Sequence, residues 1–194
     1  PMDTASRMKR MEEMGFDTDA YHATDAVFSR FDLTSEKRYS ISEPSKKLVE
    51  ELEDVIFFKV YLEGSFPAGF KRLRDETKEM LDEFRAYSGG KIEYEFINPS
   101  ENPDKKERDK VYKILYESGL RPTDLEVREE SGISNKMIWP GALVDFRDTE
   151  ISMQLLKSST GASPEVMLNQ SIEALEYEIA AAIKKVTSSS KGTI

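Results

Sequence analysis

The chain has 194 residues, enough to bury a real core and to form one domain with an appendage. Its 28 Lys and Arg against 37 Asp and Glu leave a net charge of −9, which repels phosphate backbones and argues against nucleic-acid binding. There is no cysteine and only one histidine, so disulfides, thiol catalysis, iron–sulfur clusters and cysteine-type zinc sites are excluded.

Residues 1–26 differ from the rest and read as a separate N-terminal segment, of the kind a fusion or a cloning tag leaves. Met2, Met8, Met11 and Met14 among charged residues suggest a short helix ending at Gly15. Asp17 and Asp19 have the opening of a calcium loop, but His22 stands where that loop needs glycine, and no glutamate closes it. No run of about 18 apolar residues suggests a membrane span, and no signal-peptide pattern is present.

The domain is expected over residues 27–187. Alternation over 28–33 and a turn at 34–37 lead to Ser42-Glu43-Pro44, a helix start with Ser42 as N-cap. That helix should run to about Glu53 and bury Leu48, Val49 and Leu52. Seven of the eight residues 55–62 are apolar, which predicts a central strand covered on both faces. The strand stops at Glu63-Gly64-Ser65-Phe66-Pro67. Spacings of three and four from Phe66 through Phe70, Leu73, Thr77, Met80, Leu81 and Phe84 to Tyr87 then predict a long helix closed by Ser88-Gly89-Gly90.

Ile92, Tyr94 and Phe96 alternate with charged residues, as on a half-exposed strand near a sheet edge. A weaker helix carries Val111, Ile114 and Leu115 and is capped at Gly119. Strands follow at 125–128 and at 136–139, the latter continuing through Pro140-Gly141 into 142–146. A turn at 147–150 gives a hairpin with 151–155. A second long helix starts at Ser163-Pro164, with a seam of Leu168, Ile172, Leu175, Ile179, Ile183 and Val186. Residues 188–194 read as a flexible linker or tail. The order is β-α-β-α-β-β-(β)-α. It predicts an α/β fold of thioredoxin-like type, a mixed sheet with helices on both faces, with a flavodoxin-like layer as the competitor.

The corner after the first strand carries no cysteine, histidine or glycine-rich phosphate loop. The only histidine, His22, lies outside the domain, so triads and histidine metal sites lack their base or ligand. The pairs Glu50-Glu51, Asp75-Glu76 and Asp82-Glu83 read as solvated helix faces rather than as acid/base pairs. No catalytic residue, metal ligand or cofactor is therefore expected, and the pattern argues against an enzyme. In α/β sheets, ligands bind at the ends of central strands, which selects Glu63, Ser65, Phe66 and Asn98. Trp139, beside a proline in a strand, implies an edge or a bulge and completes the candidate set, with core packing as its plainer role.

The run Arg30-Phe31-Asp32-Leu33-Thr34-Ser35-Glu36-Lys37 resembles the segment after the first membrane helix of GldG, the auxiliary subunit of a gliding-motility ABC transporter of Bacteroidetes. Collinear blocks at Tyr61-Leu62-Glu63-Gly64-Ser65-Phe66-Pro67, Phe96-Ile97-Asn98-Pro99, Pro140-Gly141-Ala142-Leu143-Val144 and Leu168-Asn169-Gln170-Ser171 extend the resemblance over residues 27–187. It implies a protein anchored in the inner membrane with its domain on the periplasmic side, working with permease and ATPase subunits. The segment given lacks the family's membrane helices and downstream domain. The family is related to the GIFT domain, for which carbohydrate binding has been suggested. The expected role is a non-enzymatic protein–protein interaction module. The alternative is a glycan- or peptide-binding domain using the groove after the first strand.

Overall fold

The computed structural model describes residues 40–129, 132–157 and 161–190. The chain divides into two compact units, Pro1–Arg38 and Tyr39–Ile194, and everything below concerns the second. The expected N-terminal helix, His22, the aspartates 17 and 19, the strand and turn over 28–37 and the boundary at residue 27 all lie outside the described residues.

The first helix, α1 (Glu43–Glu50), starts where Ser42-Glu43-Pro44 predicts, with Ser42 as N-cap and proline in the first turn. The Ser42 hydroxyl makes no capping bond, however. The carboxylate of Glu176, 134 residues further on, accepts from the Ser42 amide at 2.8 Å and from the Ser45 hydroxyl at 2.6 Å. Strand β1 (Ile56–Val60) follows, then α2 (Ala68–Tyr87), β2 (Ile92–Phe96) and α3 (Lys105–Glu117). Four strands come next: β3 (Thr123–Glu129), β4 (Gly132–Ile138), β5 (Gly141–Phe146) and β6 (Thr149–Gln154). Helices α4 (Pro164–Glu173) and α5 (Leu175–Ser190) close the domain.

The fold is α/β. Its main sheet has the order β2-β1-β5-β6, with β1 and β2 parallel and β5 and β6 antiparallel to their neighbours. An all-parallel flavodoxin-like layer is therefore not what forms. β1 sits centrally and β2 at an edge, as the two hydropathy patterns predicted. One face of the sheet carries the core: Ile56, Phe58, Val60, Ile92, Val144 and Met153 meet α2 and α5 residues such as Leu73, Phe84, Ile179 and Ile183. On the opposite face α3 covers one end, where Leu115, Leu120, Trp139 and Leu143 form a second cluster with Tyr61 and Tyr112.

Several expectations are corrected. β1 is not covered on both faces: Ile56, Phe58 and Val60 are buried, but Phe57 and Lys59 between them are half-exposed. Lys59 there pairs with Asp145 at 2.9 Å and Glu150 at 3.6 Å. The run 136–146 is not continuous, because proline cannot donate to a ladder and the Gly141 amide turns back onto the Trp139 carbonyl at 2.8 Å. β4 consequently pairs with β3 in a separate two-stranded sheet, and β5 joins the main one.

The long final helix is two helices broken at Ala174. Just before the break the Ser171 hydroxyl donates to the Met167 carbonyl, a bond that bends helices, while accepting the Lys157 amide. The apolar seam nevertheless holds across the break, with Leu175, Ile179, Ile183 and Val186 buried. α5 also runs through Ser190, so the start of the expected tail is helical. On α3, Leu115 is buried and Ile114 is 58% exposed. Glu83 of α2, read from sequence as solvated, is 8% exposed.

Candidate functional site

The C-terminal ends of β1 and β2 deliver two loops side by side. The first begins with Glu63, whose carboxylate accepts from Arg74 Nη2 at 2.6 Å, from Arg74 Nε at 3.1 Å and from the Gly64 amide at 3.1 Å. Arg74, one turn and a half into α2, lies over the Phe96 ring with its guanidinium 5.1 Å from the ring centre. The loop is thus tied to the helix that follows it and to the neighbouring strand. Gly64 adopts φ +134°, a backbone region that side chains rarely enter, and a Cβ there would stand 3.4 Å from the Asn98 side chain. The second loop folds over itself, Asn98 Oδ1 accepting the Ser100 amide at 3.0 Å.

Between these loops and β4 lies a cleft of about 320 Å³. All five residues singled out from the sequence line it: Glu63, Ser65, Phe66, Asn98 and Trp139. They do not do the same work. Glu63 is occupied by Arg74 and shapes the loop. Ser65 is exposed and hydrogen-bonded to nothing among the described residues, and the Asn98 amide nitrogen is likewise unused. Phe66 contributes a half-buried ring.

Trp139 is 2% exposed and belongs to the second cluster, its ring tilted 34° against Tyr112 at 5.6 Å between centres. Its indole N–H is buried without a partner among the described residues, a cost of about 1–3 kcal/mol. Core packing and cleft floor are both true of it.

Sequence reasoning missed Tyr61, Tyr112, Ser100 and the segment 135–138. Tyr61 was visible as the end of the apolar run, at the place where a strand hands over to a loop. Its hydroxyl is pushed above the ordinary tyrosine range, first by burial, so it stays neutral. Tyr112 reaches the cleft from α3 and shares a 2.8 Å hydrogen bond with the Ser100 hydroxyl. Nothing local marked Asn135, Lys136 and Met137, because their place depends on β4 leaving the main sheet.

Chemically the cleft offers aromatic rings, the two amides of Asn98 and Asn135, the hydroxyls of Tyr61, Ser65, Ser100 and Tyr112, and the charged ends of Glu63 and Lys136. Its one serine hydroxyl without a hydrogen bond, Ser65, has no base beside it, and its carboxylate is held by an arginine. Among the described residues no group of three His, Cys, Asp or Glu could hold a metal ion. No described helix is long and apolar enough to cross a membrane.

Fold and cleft together define an α/β domain with an aromatic-floored cleft at its strand ends. Residues 35–145 match the family described as a domain of unknown function (DUF7088), and the chain belongs to that family. The match spans more than half of the chain and contains every residue that lines the cleft. No curated protein and no solved structure matches the chain.

Proposed function

We propose that the domain is a non-enzymatic recognition module that works through this cleft, as the extracytoplasmic part of a GldG-like ABC transporter auxiliary subunit. The convergence of Ser65, Phe66, Asn98 and Trp139 on one groove without an acid–base pair is the observation that carries the proposal. The resemblance to GldG supplies the setting: an inner-membrane anchor, the periplasmic side, and permease and ATPase partners in gliding motility or a secretion-related transport. The β2-β1-β5-β6 order of the main sheet suits such a role, since it brings the ends of the parallel strands β1 and β2 side by side at the cleft. A small-ligand reading, glycan or peptide, is favoured by the same unsatisfied amides and hydroxyl.

The test is in-cell crosslinking of the tagged protein followed by identification of what co-purifies. Recovery of an ATPase and a permease, weakened when Ser65→Trp fills the cleft, is the expected result. Recovery of neither overturns the transporter assignment.

A further inference from the structure

The wall of the cleft opposite the two loops is made by consecutive residues, Asn135, Lys136, Met137, Ile138 and Trp139. Successive side chains of a strand point to opposite faces. A wall to which five in a row contribute is therefore approached from the strand's edge, where backbone N–H and C=O groups stand. No described residue of β3 lines the cleft, and β4 pairs with β3 alone. The edge that faces the cleft is the one away from β3; the Trp139 carbonyl beyond the strand accepts the Gly141 amide, and no other backbone hydrogen bond among the described residues falls on residues 135–138 from that side. Four residues at about 3.3 Å each make an edge on the order of 13 Å long.

The facing wall says what would lie there. Its groups without a hydrogen bond among the described residues are the Ser65 hydroxyl and the Asn98 amide nitrogen, with the Asn135 side chain on the strand side, all neutral. The one carboxylate, Glu63, is matched by Arg74, and Lys136 is not without a partner. A charged occupant would lose part of its hydration and meet only charges that already have partners. The rings of Tyr61, Phe66, Tyr112 and Trp139 accept apolar or aromatic side chains.

Resting on the reading of the cleft as the recognition surface, we propose that it takes an uncharged peptide segment in extended conformation, laid along the free edge of β4 and paired with its backbone. Main-chain pairing supplies affinity, and alternate side chains of the peptide turn toward the aromatic floor.

The experiment screens the whole chain against a bead library of N-acetylated, C-amidated heptapeptides free of charged residues. Retained peptides are then remade with N-methyl groups on alternate residues, in each of the two registers. One register should weaken binding at least tenfold and the other less than threefold, because only alternate N–H groups face β4. Bound peptide should also slow amide exchange over residues 135–138. Ser65→Trp and, on the opposite wall, Asn135→Trp should each abolish retention while leaving the thermal melt unchanged.

Equal effects of the two methylation registers overturn the proposal, as does preferential binding of chito- or malto-oligosaccharides. Retention of no peptide above the Ser65→Trp background also overturns it. If partner capture in cells still depends on the cleft in that case, the recognition reading stands and only the peptide mode fails. If capture ignores both blocking variants, the reading itself fails.

Discussion

The two faces of the main sheet are built from the same strands and do different work. On the face toward α2 and α5, Ile56, Phe58, Val60, Ile92 and Val144 are wholly buried. On the other, the residues in between include Phe57, Lys59, Tyr61, Asp145 and Glu150, half-buried or exposed, and among the described residues a helix lies over one end only. The first face holds the domain together, and the second, where its cover gives out near α3 and β4, leaves the cleft. Closed core and open face are thereby separated on alternate residues of one strand.

The sharpest way to break this comparison is to truncate neighbouring residues. Phe58→Ala opens a cavity in the closed core and is expected to cost about 3–5 kcal/mol. Phe57→Ala, one residue earlier on the open face, should cost about 1 kcal/mol or less. Urea denaturation of the two variants checks the pair, and equal losses would mean that the second face is as closed as the first.

Gly64→Ala addresses the cleft without touching either cluster. It forces a side chain into φ +134° and against Asn98, which should cost about 1–3 kcal/mol and displace the first loop. Thermal melts with and without a retained heptapeptide separate the two effects, since a peptide that binds only the folded wild type raises its melting temperature and should do so less in the variant.

The smallest effect concerns the clasp between α1 and α5. Burial alone would raise the Glu176 carboxyl, but hydrogen bonds from Ser42 and Ser45 outweigh it and hold the group below its ordinary value of 4.5. A depressed folded-state value means that the contribution is fully present above pH about 4.5 and is lost as pH falls through the folded value. Glu176→Gln should therefore cost about 1 kcal/mol at pH 7, and the difference from wild type should shrink as the solution is acidified below the carboxylate range. A difference independent of pH would show that the carboxylate charge is not what closes the clasp.

Sequence by itself determined most elements and one candidate surface. Apolar spacing marked the long helix α2 and the seam of α5, alternation marked β2 as an edge, and strand-end chemistry brought Glu63, Ser65, Phe66 and Asn98 together before any coordinates did. These are local signals: periodicity, caps and turn residues act within a few positions. Three features were decided by tertiary structure. Phe57 looks like core in the sequence because an apolar residue does not report which face it points to, and only the missing cover shows it. Pro140 reads as a kink in one strand, yet which sheet each half joins depends on whether β1 or β3 offers its edge. Arg74 decides that Glu63 shapes the loop and is not a free carboxylate, and that pairing is made when the first turns of α2 settle beside the loop that precedes them. Each is a choice among partners distant in sequence or on separate elements, where the energy of a contact exists only after the elements have met.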